Sequence, residues 1–244
     1  MRTRIQLISL YCGPIGILFW LFGFFLIGGL IPPPEPSSTA EEIAGFYRDE
    51  TNGIRVGLLL TMIGSALTAP WVAVIAAQMK RIEREYSPLS MTQLGCGMLG
   101  ILLFIFPVMN MQAAAFRPER EDDLILLIND IAWIPFVGVW VLASIQNLAI
   151  AGAIFMDREG AVWPRWVGYF NVWTALLFCP GSLLYFFKDG PFAWDGALSW
   201  WFVVVVFVLW FAVMLVTTRQ AILNQNLDGE DRDEFSVAAA PQSR

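Results

Sequence analysis

Leu124 to Ala153, LILLINDIAWIPFVGVWVLASIQNLAIAGA, runs for 30 residues with a single charge, and its reading decides the fold. About 20 apolar residues at 1.5 Å rise cross the ~30 Å hydrocarbon core of a bilayer, so the stretch predicts a membrane-spanning helix. Its charge is Asp130, the only one well inside any long apolar segment of the chain. Pro135 follows five residues on, and Gln146 and Asn147 lie toward the far end. A carboxylate carried into hydrocarbon is costly, which makes Asp130 a functional-site candidate in want of a partner.

The rest of the chain extends the same reading. It has 244 residues, 57% of them hydrophobic, and a mean hydropathy of +0.60, too apolar for a soluble domain of this length. Apolar runs at about 6–31, 53–78, 91–115, 124–153, 166–187 and 197–217 predict an all-α integral membrane protein. Six spans would make one bundle over residues 1–222, followed by an acidic, disordered cytoplasmic tail at 223–244. The opening run exceeds the 7–15 residues of a leader's apolar region, so it is read as the first span. Pro32-Pro33-Pro34-Glu35-Pro36 is expected to end it.

Between the first two spans, Ser38-Thr39-Ala40-Glu41 has a capping-box pattern opening a short amphipathic helix to about Asp49. Ile43, Phe46 and Tyr47 share its apolar face, as a lid over the bundle mouth or a helix on the membrane surface. With six spans both termini fall on one side. The short loops and flanks of that side carry eight Lys and Arg (Arg2, Arg4, Lys80, Arg81, Arg84, Arg158, Arg165, Arg219) against five on the other. The positive-inside rule then predicts cytoplasmic termini in a plasma membrane, the inner membrane of a bacterium. Trp71, Trp133, Trp163, Trp166, Trp194, Trp200 and Trp201 fall near expected span ends and read as an interfacial aromatic belt.

Composition also excludes. There is no histidine, which removes the commonest metal ligand and general base. Cys12, Cys96 and Cys179 sit singly in different apolar segments and read as small buried hydrophobes. No phosphate-binding lysine loop, nucleophile elbow or dinucleotide fingerprint occurs, so no cofactor or metal is expected and catalysis is disfavoured. Net charge is −6, half of it in the tail, and nothing suggests a nucleic-acid partner.

The candidate ligand-binding residues are polar groups inside spans: Asp130 with Asn110, Gln112 and Asn129 toward one end, and Gln146, Asn147 and Asn171 deeper. Asp130 and Asn110 are expected to line a polar pocket with Arg117 or Arg55 as counter-ion. Gln146 and Asn147, some 100° apart on a helix, are expected to bond across to Asn171 or Thr61. Pro14, Pro70, Pro107, Pro135 and Pro180 allow bent or broken spans of the kind that build midplane sites. Three functions remain open at this level. The first is a bundle binding or passing a small apolar or amphipathic molecule. The second is a non-catalytic subunit joined to another membrane protein, and the third is a membrane enzyme using Asp130. The bilayer itself is the one partner expected in every case.

Overall fold

A computed structural model describes the backbone of residues 2–238 and the side chains of residues 3–225. The chain is 82% helical with no strand among the described residues, and six helices are long and apolar enough to cross a membrane. The first is α1 (Arg2–Trp20), continued by a π-helical stretch, Leu21–Ile27. Then come the short α2 (Ala40–Asp49) and the long α3 (Thr51–Glu83) and α4 (Pro88–Phe116). The fourth span is α5 (Asp122–Gly138) followed by α6 (Val141–Met156). The fifth is α7 (Arg165–Leu177) with a 3-10 turn, Cys179–Tyr185, and the last is a π-helical turn, Ala197–Trp201, leading into α8 (Phe202–Ala238). The tail read at 223–244 falls mainly where side chains are outside the described residues, and 239–244 lie outside them entirely.

The first span ends earlier than the proline run suggests. Gly28 and Gly29 stop it, Gly29 at φ +59°, a conformation that costs a side chain and suits glycine. The prolines act unequally: α1, α3 and α4 run unbroken through Pro14, Pro70 and Pro107. Past Pro135 the helical ladder stops at Val139 and Trp140, so the 124–153 stretch is two helices in line rather than one. Pro180 and Gly181 likewise tighten the end of α7 into its 3-10 turn.

Helix α3 packs against α1, α4, α6 and α8. Its seam with the first span is made of facing glycines seven residues apart on each side: Gly16 of α1 opposite Gly64, and Gly23 of the π-helical stretch opposite Gly57. A Cβ on Gly16 would lie 2.5 Å from the Gly64 carbonyl oxygen, and a Cβ on Gly64 would lie equally close to the Gly16 carbonyl. Without a strong hydrophobic drive between helices in lipid, such close backbone approach is a main source of packing energy.

The bundle has two ends, each with its own apolar core. At the end holding the N-terminus, Gln78 Nε2 donates to Gln6 Oε1 (2.8 Å) and Arg81 to the Ala221 carbonyl (3.0 Å). Leu10, Trp71, Ile75, Trp163 and Met214 form the core there. At the opposite end Phe24, Ile43, Tyr47, Met111, Trp133 and Trp200 belong to the second core.

The tryptophan belt predicted from sequence is corrected. Of its seven members, Trp71, Trp133, Trp163, Trp194 and Trp200 are buried in the bundle, and only Trp166 and Trp201 are exposed. A tryptophan near a span end looks the same in sequence whether it turns toward lipid headgroups or into the protein.

Candidate functional site

Helix α2 forms as the capping box predicts. The Thr39 hydroxyl accepts from the Glu42 backbone N–H (3.3 Å), and the Glu42 carboxylate accepts from the Thr39 N–H (2.8 Å). The Thr39 backbone N–H, and after it the Thr39 side chain, hold the Glu42 carboxyl below its ordinary pKa. Ile43, Ala44 and Tyr47 are buried against the end of the bundle, with Phe46 half-buried. The Tyr47 hydroxyl donates to Asn129 Oδ1 (3.2 Å), and burial pushes the Tyr47 phenol well above its usual pKa. Arg48 fastens the outer face, donating to the carbonyls of Pro118 (2.8 Å) and Arg120 (3.0 Å) and pairing with Asp122. Trp194 Nε1 donates to the Pro34 carbonyl (2.7 Å), tying the last connection to the segment before α2.

The polar pocket expected around Asp130 is not assembled. Asn110 Nδ2 donates to the Phe106 carbonyl of its own helix (2.8 Å), and Gln112 Nε2 to the Arg55 carbonyl (2.8 Å). Arg55 caps the end of α4 through the carbonyls of Ala115 and Phe116 and is not a counter-ion. Arg117 lies over the Phe116 ring. Among the described residues Asp130 makes no ion pair and no hydrogen bond. Asn129 is buried beside Tyr47, so of this group only Asn129 meets the predicted lid residues.

The deeper amides also pair differently from expectation. Asn147 Nδ2 donates to the Ala143 carbonyl of its own helix (2.8 Å). Asn171 donates to the Val167 carbonyl (2.8 Å) and accepts from Trp210 Nε1 (3.0 Å), a link from α7 to α8. Thr61 donates to the Gly57 carbonyl of α3. Gln146 alone has no hydrogen-bond partner among the described residues, although it is only 8% exposed.

Gln146 lies on the wall of a partly enclosed cavity of about 270 Å³ where the two cores meet. All six spans contribute to it. Its aromatic lining includes Trp20, Trp71, Phe104, Phe136, Trp200 and Phe207, several of them stacked on one another, as Trp71 is on Phe211 (4.3 Å). No lining residue is charged. Ser65, Thr68 and Ser199 line it too, but each hydroxyl donates to a backbone carbonyl: Thr61, Ser65 and Phe192 respectively. The indole N–H groups of Trp20, Trp71 and Trp200 are buried in this wall with no partner among the described residues.

Four of the six spans depart from regular α-helix at the cavity. Leu21 begins the first π-helical stretch, Val139 and Trp140 are the break in the fourth span, Phe178 precedes the 3-10 turn, and Ser199 and Trp200 belong to the second π-helical turn. Non-helical backbone at membrane depth is tolerated where it is buried in protein or lines a cavity, as Val139 and Trp140 do, while the π-helical stretches keep their backbone bonds within the segment. Among the described residues no three His, Cys, Asp or Glu side chains come together as a metal site. The sequence reading named Gln146 but missed its aromatic surroundings, because those residues come from all six spans at unrelated spacings. The proline list touched the irregular backbone only at Pro135 and Pro180. No protein-family model, curated protein or solved structure matches this chain.

Proposed function

We propose that this multi-pass membrane protein binds or passes a small apolar or amphipathic molecule, seated in the aromatic cavity between its two cores. The cavity itself carries the reading. It is a partly enclosed space of about 270 Å³ with an apolar and aromatic lining drawn from all six spans, the form a small apolar guest fits. Broken helices at the same depth are the arrangement by which many transporters build a midplane site. In this reading the protein sits in a plasma membrane with both termini in the cytoplasm, on the strength of eight basic residues against five in the short loops and flanks. Helix α2, fastened by Arg48, closes the outer end.

Native mass spectrometry of the protein extracted gently from its own membrane tests this. A stoichiometric small molecule is expected. It should be lost in Gly100→Leu, which adds bulk at a cavity-lining position where a Cβ meets nothing within 4 Å. It should be retained in Asp130→Asn, since Asp130 does not line the cavity. Protein carrying nothing but bilayer phospholipid would overturn the reading. A stoichiometric protein companion in place of a small molecule would establish the subunit role instead.

A further inference from the structure

Of the polar side chains on the cavity wall, Gln146 is the one that offers both donors and an acceptor with no bond made among the described residues. The unpartnered indoles of Trp20, Trp71 and Trp200 can only donate, and their N–H groups are buried in the wall. Ser65, Thr68 and Ser199 have already committed their protons to backbone carbonyls. Trp210 has committed its N–H to Asn171. Gln146 has committed nothing, though its carboxamide offers two N–H donors and one carbonyl acceptor. Its Nε2 reaches across from α6 toward α4, lying 3.1 Å from where a Cβ on Gly97 would sit, and Gly97 is itself a lining residue. The polar atoms of this amide are not sealed within the protein; they open on the cavity, where a ligand can supply the missing bond.

Resting on the cavity reading above, we infer that the ligand is a neutral, flat, largely apolar molecule bearing one hydrogen-bonding oxygen, a hydroxyl or a carbonyl, held by Gln146. Neutrality follows from the lining, which offers no charge to offset the desolvation of an ion. Flatness follows from walls made of indole and phenyl faces, which favour stacked or edge-to-face contact with a ring. Size follows from the volume, at the small end of the roughly 300–1,000 Å³ range of ligand pockets, which admits a ring system and excludes a whole diacyl lipid.

Three brominated probes of one ring system test this on the full-length protein in lipid nanodiscs: 6-bromo-2-naphthol, 2-bromonaphthalene and the anion 6-bromo-2-naphthoate. Bromine quenches the tryptophans of the cavity wall, and binding is referred to the probe concentration in the lipid. The naphthol is expected to bind roughly 5- to 30-fold tighter than bromonaphthalene, the worth of one hydrogen bond to an otherwise unpaired buried amide. Gln146→Met and Gln146→Leu should abolish that preference while keeping the binding of bromonaphthalene, which also shows that the variants fold. Equal binding of the two neutral probes, unchanged in both variants, would overturn the role of Gln146 while leaving the cavity reading intact. Tightest binding of the naphthoate would overturn neutrality. Quenching insensitive to Gly100→Leu for every probe would remove the cavity reading, and this inference with it.

Discussion

Substituting Gly64 by alanine should separate the first two spans. In the structure the new Cβ would stand 2.5 Å from the Gly16 carbonyl oxygen, where ordinary contact begins at 3.4 Å. The shortfall of roughly 0.9 Å cannot be absorbed by a side chain turning away, because the obstacle is backbone. The α1–α3 seam must therefore open by about that amount, and a gap of 0.5–1 Å already forfeits a quarter to a half of the dispersion energy of the atoms lining it. Overpacking of this kind costs about 1–3 kcal/mol. For a chain of this size that lowers the unfolding temperature by roughly 2–12 °C. Gly95→Ala is the control: a Cβ there meets nothing within 4 Å, and alanine's better helix propensity should stabilise by about 0.5–1 kcal/mol. Thermal unfolding in one detergent, followed by tryptophan fluorescence, compares the variants. The double substitution Gly16→Ala with Gly64→Ala should cost less than the sum of the singles, since one Cβ has already opened the seam that the other would strain. Additive losses, or a Gly64→Ala protein as stable as Gly95→Ala, would refute the close-approach argument.

Two further outcomes concern the cover at the other end. Arg48→Ala removes one partly exposed ion pair and two bonds to loop carbonyls, together about 1–2 kcal/mol, so amide exchange over residues 40–49 should rise roughly tenfold while α7 is unchanged. Unaltered protection of α2 would show that Arg48 is not its fastening. The Glu42 carboxyl is held below the ordinary value of 4.5 by Thr39, so the stabilisation it gives α2 is present above that pH and is lost as pH falls through the lower, folded value. Exchange at the start of α2 should therefore accelerate on acidification in the wild type more than in Glu42→Gln, and equal profiles would count against the carboxylate's part in the cap.

The sequence carried the fold class because the signal that decides it is long and redundant. Six runs of apolar residues, separated by Pro32–Pro36, Lys80–Arg84, Arg117–Asp123 and similar breaks, leave little freedom once a bilayer is the solvent. The cap at Thr39 was legible for the opposite reason, being a local bond between residues three apart. Asp130 misled because a charge in an apolar run signals cost without signalling depth or direction. It lies about two turns from the polar start of its helix and makes no ion pair among the described residues. The glycine seam escaped because its members recur every seven residues rather than every four, and each is unremarkable until its opposite number is known. The cavity was least legible of all, since a packing defect is a property of six helices together and leaves no mark on any one of them.

The division between regular and irregular spans has a mechanical consequence. Helices α3 and α4, 33 and 29 residues long, stay α-helical across the membrane, each lacking the bond that Pro70 or Pro107 cannot donate. They show no departure from α-helix, while the other four spans each have a joint at the level of the cavity. Compliance is thus concentrated in one layer of the molecule and on one part of its circumference. Any change in the cavity's volume would come from the jointed spans flexing against the regular ones, as a bellows works against its board, and the same layer is where a thinner or stretched bilayer would deform the protein first.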